Sequence, residues 1–207
     1  MTNHSFFSQF GEDEWILTHL KPPTSVFVEV GAADGIGNSN TYYLEKQCGW
    51  TGLCIEPDPR NYANLVRNRA CQTLYCAIGS DPAKKVRMNQ DRTLSGINTR
   101  GEQSGDYIGD SDAPVRMLED VLQESGLSAP IGLLSIDVEG DELDVWSTFD
   151  NNRWKPQIVI IEFLSRNTED NELEIARAFA ALPYDRVHRT AANLIYVRSD
   201  RAGNLLR

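Results

Sequence analysis

The sequence predicts an α/β fold, with a mostly parallel sheet, helices on both of its faces and an antiparallel hairpin at the C-terminal edge. Three observations predict it. From residue 25 onward, short apolar, β-prone runs alternate with stretches of helical periodicity, the pattern of βαβ units laid into a parallel sheet. Those runs are apolar on both faces, as strands covered from two sides must be. The chain then closes with two β-prone runs too near in sequence for a crossover connection, so they pair antiparallel.

The elements follow in order. A helix over Glu12–Leu20 precedes the strand Ser25–Val30, which feeds a glycine-rich turn and a helix over Ser39–Gln47. The second strand is Gly52–Ile55. After it Asp58 is placed to cap a helix, Pro59 falls in the first turn, and Tyr62, Leu65 and Val66 share one face. Gln72–Cys76 is the third strand. Residues 81–114 show little periodicity, with Gly96, Gly101, Gly105 and Gly109 among polar residues, and long irregular stretches in compact domains tend to serve function. A helix over Leu118–Ser125, the strand Leu133–Ile136, a helix over Glu142–Phe149 and the strand Gln157–Ile161 come next. Thr168 opens a helix that runs to Leu182 and stops at Pro183. The hairpin runs are Tyr184–Thr190 and Leu194–Val197, joined by Ala191-Ala192-Asn193. With no repeat, low-complexity tract or linker, the 207 residues read as one domain, 1–207, with a short N-terminal helical segment over residues 1–24.

Composition narrows the function. Hydrophobic residues are 41% and charged residues 24%, which fits a globular domain and excludes a disordered or fibrous chain. The net charge of −10 disfavours nucleic acid and anionic membrane surfaces, because a phosphate backbone needs clustered cations. The acidity is concentrated: residues 101 to 150 hold thirteen acids against the single base Arg116. Cys48, Cys54, Cys71 and Cys76 are spaced for neither a zinc site nor a disulfide scaffold, so they read as buried thiols in a reducing compartment. No apolar run approaches a membrane span and no basic-then-apolar leader opens the sequence, so the expected location is the cytoplasm.

The turn after the first strand carries the binding signal. Gly31-Ala32-Ala33-Asp34-Gly35-Ile36-Gly37 fits neither the dinucleotide fingerprint G-x-G-x-x-G nor a phosphate-gripping P-loop. It fits instead an acid, one spacer and G-x-x-x-G, beginning at Glu29. Glu56 stands at the tip of the second strand, where a carboxylate can accept both hydroxyls of a ribose. An acidic pocket poor in phosphate ligands suits S-adenosylmethionine, whose sulfonium and ammonium are cationic.

These residues resemble the FkbM-type S-adenosylmethionine-dependent methyltransferases. The likeness rests on Ser8-Gln9-Phe10-Gly11-Glu12-Asp13, on Phe27 to Gly35 with Asn38-Ser39-Asn40-Thr41, on Gly52-Leu53-Cys54-Ile55-Glu56-Pro57, and above all on Leu134-Ser135-Ile136-Asp137-Val138-Glu139-Gly140-Asp141-Glu142. It implies a Rossmann-like class I methyltransferase sheet of seven strands, the seventh inserted antiparallel. It further implies Glu29, Gly31, Asp34 and Gly35 near the methionine part of the cofactor, with Gln9, Asp13 and Asn40 close by. Glu56 and Pro57 would meet the ribose, Ala77 and Ile78 the adenine, and Asp137 the methyl-transfer site. The family's substrate class is a hydroxyl on a sugar, glycan or polyketide. Two departures stand out: the family often has Gln where Glu12 stands, and some members have longer termini, so the short N-terminus leaves little room for a separate substrate domain.

Methyl transfer to an alcohol requires alignment and removal of a proton. Asp137 and Glu139 are candidates for the base or for an acceptor-binding carboxylate, and Glu162, capping the neighbouring strand, can share a divalent ion with them; oxygen ligands of this kind suit Mg2+ or Mn2+. Capping offers a purely structural account of Ser8, of Asp141 and of Glu142. His188 is an alternative base. Arg92, Ser95 and Asn98 belong to a candidate acceptor lid. The expected partner is a small-molecule or glycan acceptor. The competing readings are an NAD-dependent oxidoreductase on a doubly wound sheet, which the glycine spacing opposes, and a non-catalytic methyltransferase-like binding module.

Overall fold

The computed structural model describes residues 6–22, 24–89, 107–164 and 168–200. Its strands are β1 (Val26–Val30), β2 (Thr51–Ile55), β3 (Gln72–Leu74), β4 (Ala77–Ile78), β5 (Arg87–Asn89), β6 (Tyr107–Asp110), β7 (Val115–Arg116), β8 (Leu133–Ile136), β9 (Ile158–Glu162), β10 (Tyr184–Arg189) and β11 (Asn193–Arg198). The helices are α1 (Glu12–His19), α2 (Tyr42–Cys48), α3 (Pro59–Asn68), α4 (Leu118–Ser125), α5 (Glu142–Ser147), α6 (Asn151–Trp154) and α7 (Thr168–Ala180). Seven strands form one sheet in the order β10-β11-β9-β8-β1-β2-β3. All neighbours are parallel except β11, which enters antiparallel between β9 and β10, as the terminal hairpin and the family resemblance both imply.

Two consequences position the site. The chain leaves β1 toward β2 on one side and returns in β8 on the other, so strand order reverses at β1 and a crevice opens at the C-terminal ends of β1 and β8. Alternate side chains then build two cores. Val28, Val30, Leu134, Ile136, Val159 and Ile161 pack against α4, α5 and α7. Phe27, Cys54, Leu133, Ile158 and Ile160 pack against α1, α2 and α3 on the opposite face.

Several boundaries differ from the sequence reading, each for a physical reason. The second helix begins at Tyr42 rather than Ser39, because the Ser39 hydroxyl accepts from the Thr41 and Tyr42 amides and ends the loop instead of entering the helix. The run Gln72–Cys76 pairs with β2 only through Leu74; Ala77 and Ile78 turn away to pair with Val115 and Arg116. The helix expected over Glu142–Phe149 ends at Ser147, and Trp154 comes in on a separate short turn capped by Asp150. Asp58 caps α3 through the Arg60 and Asn61 amides, with Pro59 in the first turn as expected, but Val66 lies half exposed on the far side from Leu65. Among the described residues no helix is long and apolar enough to cross a membrane.

Candidate functional site

The crevice begins with Gly31, whose φ is +85° and whose hypothetical Cβ would lie 1.7 Å from the Asp137 carbonyl oxygen. Only glycine lets the β1 and β8 ends touch in this way. Gly35, φ +81°, packs against the end of α3, its missing Cβ 2.6 Å from a Leu65 methyl and 2.8 Å from the Arg69 stem. Between them Asp34 folds its own loop, accepting from the Ile36 and Gly37 amides at 2.9 Å.

Glu29 is drawn inward. It accepts from the Ser39 hydroxyl at 3.0 Å, the Asn40 amide at 2.9 Å, the Thr41 hydroxyl at 2.7 Å and Arg69 at 3.2 Å. These bonds anchor the strand-end carboxylate, read as lying near the methionine part of the cofactor, to the loop that follows. Asn40 in turn donates its side-chain amide to Ser135 on β8 at 2.9 Å.

At the tip of β2 lies Glu56, buried, with one oxygen accepting from the Ala33 amide and the other from the Asp58 amide, both at 2.8 Å. Burial, reinforced by the neighbouring Asp58 charge, pushes its pKa up to about 7. Pro57 is tied by its carbonyl to the Ser111 hydroxyl at 2.8 Å, and Tyr75 bonds both Ser111 and Asp112. Ala77 and Ile78 are buried in β4, and the Ala77 amide donates to Pro114. Tyr75, Ser111 and Asp112 thus join the wall next to Glu56. The sequence reading missed them, since they come from segments more than thirty residues apart with no motif between them.

Asp137 sits at the end of β8, where oxygens of Asp137, Glu139 and Glu162 all lie within 4.8 Å of one another. Burial raises the Asp137 pKa, with the Glu29 and Glu12 charges adding to it, while a hydrogen bond with Glu162 opposes. Glu162 is pushed up to about 11, by burial first and by Asp137 second, so the two carboxyls together hold a proton at neutral pH. Its other oxygen is buried and has no hydrogen-bond partner. The turn between them is left-handed at Glu139, φ +62°, and Gly140, φ +118°. Glu142 holds that turn by accepting from the Gly140 amide at 2.8 Å and the Val138 amide at 3.3 Å. Asp141 occupies the N-cap position of α5, yet its side chain makes no cap hydrogen bond, so the capping role read for it is not the one it plays.

The remaining candidates fall outside this cluster. Asp13 accepts from the Phe7 amide and the Ser8 hydroxyl, Gly11 is the N-cap residue of α1, and Gln9 is exposed in the preceding turn. Ser8 forms a β-bridge with Asn38, which brings the N-terminal segment onto the glycine loop. Glu12 is buried and accepts from Thr190 and Asn193 of the hairpin. His188 stacks on Trp15 at 4.4 Å, with His19 on the same indole at 4.7 Å. Arg92, Ser95 and Asn98 lie outside the described residues.

Two groups of these residues have donor or acceptor chemistry suited to a ligand. The Glu56 oxygens accept from two backbone amides and from the Asn61 side chain, and a carboxylate with about four lone-pair sites has capacity for a hydroxyl besides. Asp137, Glu139 and Glu162 provide the oxygen set that a hard divalent ion prefers.

A sheet reversing at β1, a glycine loop pressed on the β8 end and acids at three strand tips define a Rossmann-like methyltransferase domain. Residues 29–188 match the family model described as Methyltransferase FkbM domain. The chain belongs to the FkbM methyltransferase family, and membership implies S-adenosylmethionine as the methyl donor. The fold is similar to that of the FkbM methyltransferase from Methylobacillus flagellatus KT, with TM-score 0.52 and 17% identity over 89% of this chain and 50% of that one. The chain therefore spans half the length of that relative. More distant in shape are the human methyltransferase 10 domain containing protein (TM-score 0.48, 11% identity, 90% of this chain and 79% of that one) and the O-methyltransferase from Bacillus cereus in complex with SAH (TM-score 0.44, 12% identity, 99% and 84%). Among curated proteins no relative matches the chain.

Proposed function

We propose that this domain moves a methyl group from S-adenosylmethionine to a hydroxyl of a sugar, glycan or small hydroxylated metabolite. The observation that carries the reading is the Asp137–Glu162 carboxyl pair, brought within 4.8 Å at the neighbouring ends of β8 and β9 and set against the glycine loop. When bound, S-adenosylmethionine supplies a methyl group on a sulfonium, and its transfer to an alcohol releases one proton. An alcohol is too weak an acid to lose that proton early, so a fixed base is needed as the new bond forms. Asp137 is that base. Glu162, neutral beside it, removes the like-charge repulsion that would otherwise raise the cost of an ionised Asp137 in this buried place. Glu56 takes the ribose hydroxyls, and Ala77 and Ile78 give the adenine an apolar edge. The carboxylates of Asp137 and Glu139 attract a cationic donor and repel phosphates, which favours a small or glycan acceptor over nucleic acid.

A divalent ion has one observation in its favour, the oxygens of Asp137, Glu139 and Glu162 within 4.8 Å. Mg2+ or Mn2+ held there would replace the shared proton and orient the acceptor oxygen. Activity abolished by a chelator and restored by the ion supports that occupant; activity indifferent to chelation removes it.

The test of the main reading has two stages. Calorimetry with S-adenosylhomocysteine and with NAD should show binding of the first alone, and binding of NAD alone overturns the reading. Methyl transfer from labelled donor to a panel of sugars and hydroxylated metabolites then follows, and Asp137→Asn should slow it by about a hundredfold or more. A variant as fast as the parent would strip Asp137 of its role.

A further inference from the structure

We propose that Arg69 is a positioning residue for the methyl donor, acting through the loop of residues 31–41 that it fastens. The inference rests on the reading that this crevice holds S-adenosylmethionine. Arg69 follows α3 as its C-cap residue, and its side chain is wholly buried. The guanidinium donates to five groups: Glu45, Glu29 at 3.2 Å, the Gly35 carbonyl at 3.2 Å, the Ser39 hydroxyl at 3.2 Å and the Thr41 hydroxyl at 2.7 Å. Three of these lie in the loop itself, and Glu29 is the strand residue that the loop leaves. The rings of Phe27 and Tyr42 flank it at 5.3 and 5.7 Å, and its stem fills the space that a Gly35 side chain would need. Asn68, one residue earlier, adds a bond to the Asp34 carbonyl at 2.8 Å.

Stability alone is a weak reason for such a cluster. A buried ion pair returns little more than its desolvation costs, and apolar residues of the same volume often replace one without loss. What a planar fork of five donors provides is fixed spacing between its acceptors. Here three of the acceptors are successive points of the loop whose inner side donates the Ala33 amide to Glu56 and presses Gly31 on Asp137. Arg69 touches none of the reacting atoms. It sets where the loop stands, and with it the donor's fit, while Asp137 keeps its own place through the backbone bond from its amide to the Val30 carbonyl.

The experiment compares the full chain with Arg69→Lys and with Thr41→Val. Lysine keeps the charge but concentrates its donors at one point and cannot span five acceptors. Valine keeps the shape of Thr41 and removes only its hydroxyl, so that variant keeps the test open even where Arg69→Lys fails to fold. We expect the Kd for S-adenosylhomocysteine and the KM for S-adenosylmethionine to rise about tenfold or more in Arg69→Lys and about threefold in Thr41→Val, with kcat at saturating donor within about threefold of the parent. A general loosening of the fold would lower kcat as well, so this split separates positioning from mere stability. Both variants binding S-adenosylhomocysteine within about twofold of a parent that binds it overturn the proposal, as does a fall in kcat with KM unchanged. A parent that does not bind the ligand at all overturns the methyl-donor reading instead, and the two failures are distinct.

Discussion

Glu56 shows how one residue can report on the whole site. Two backbone amides hold its oxygens, yet burial leaves its pKa near 7, so at neutral pH it is protonated about as often as not. A ribose hydroxyl donates to a carboxylate and so favours the ionised form. Binding must then lower the pKa and release protons, and affinity must rise as pH climbs toward and through about 7, then level off. Calorimetry of S-adenosylhomocysteine at several pH values, in buffers of different ionisation enthalpy, measures both the affinity and the proton count. A Kd constant between about pH 6 and pH 8 would take Glu56 off the ribose. The same shift acts on folding with the opposite trend. A carboxyl whose pKa is raised on folding contributes stability that is complete below its ordinary value of 4.5 and is lost as pH rises through about 7, so the gain in ligand affinity is accompanied by a loss of intrinsic stability.

Elements place these residues, and α3 does so twice, presenting Asn68 and Arg69 to the glycine loop at one end and Asp58 beside Glu56 at the other. Asp58 is fully buried and accepts from the Arg60 amide at 2.7 Å and the Asn61 amide at 3.3 Å. Asp58→Ala should cost about 1 to 2 kcal/mol in urea unfolding and also weaken S-adenosylhomocysteine binding, because the helix that fastens the loop frays at its start. A cap loss with unchanged binding would show that α3 is held by its other end alone. This helix start was legible in the sequence, as were the strands of the seven-stranded sheet, the Gly31 turn and the carboxylates at Asp137 and Glu139, because each is encoded by a local spacing or a period; the short strands β4, β5, β6 and β7 were not. What was not legible runs across distance. Glu29 reads as a ligand at a strand end, but its partner Arg69 lies forty residues on and no spacing ties the two together. Glu142 reads as an acid in a first helical turn, and only the backward fold of the Val138–Gly140 turn makes it the holder of that loop. The third strand stops at Leu74 because Ala77 finds a partner in Val115, a pairing that no local pattern announces.

At the scale of the whole molecule the two cores are a single cooperative system, because they are built on the same strands. Val159 and Ile161 face α7 while Ile158 and Ile160, alternating with them on β9, face the other side, and all four are fully buried. Neither core can be lost without freeing the sheet that supports the other. Phe179 on α7 is the sharpest probe of this coupling: it is 1% exposed, stacks on Tyr196 at 4.2 Å, and meets Trp146 at 4.6 Å. Phe179→Ala should cost about 3 to 5 kcal/mol, the loss of a buried ring plus the cavity it leaves, although it lies on the face opposite α1, α2 and α3. Urea unfolding followed at once by tryptophan fluorescence and by circular dichroism gives the decisive comparison. One shared transition, moved to lower urea with its slope unchanged, is the outcome expected of a sheet that joins both cores. Two separated transitions would mean that the face carrying α1, α2 and α3, with its glycine loop, folds without the other, and the donor site would then survive the loss of Phe179.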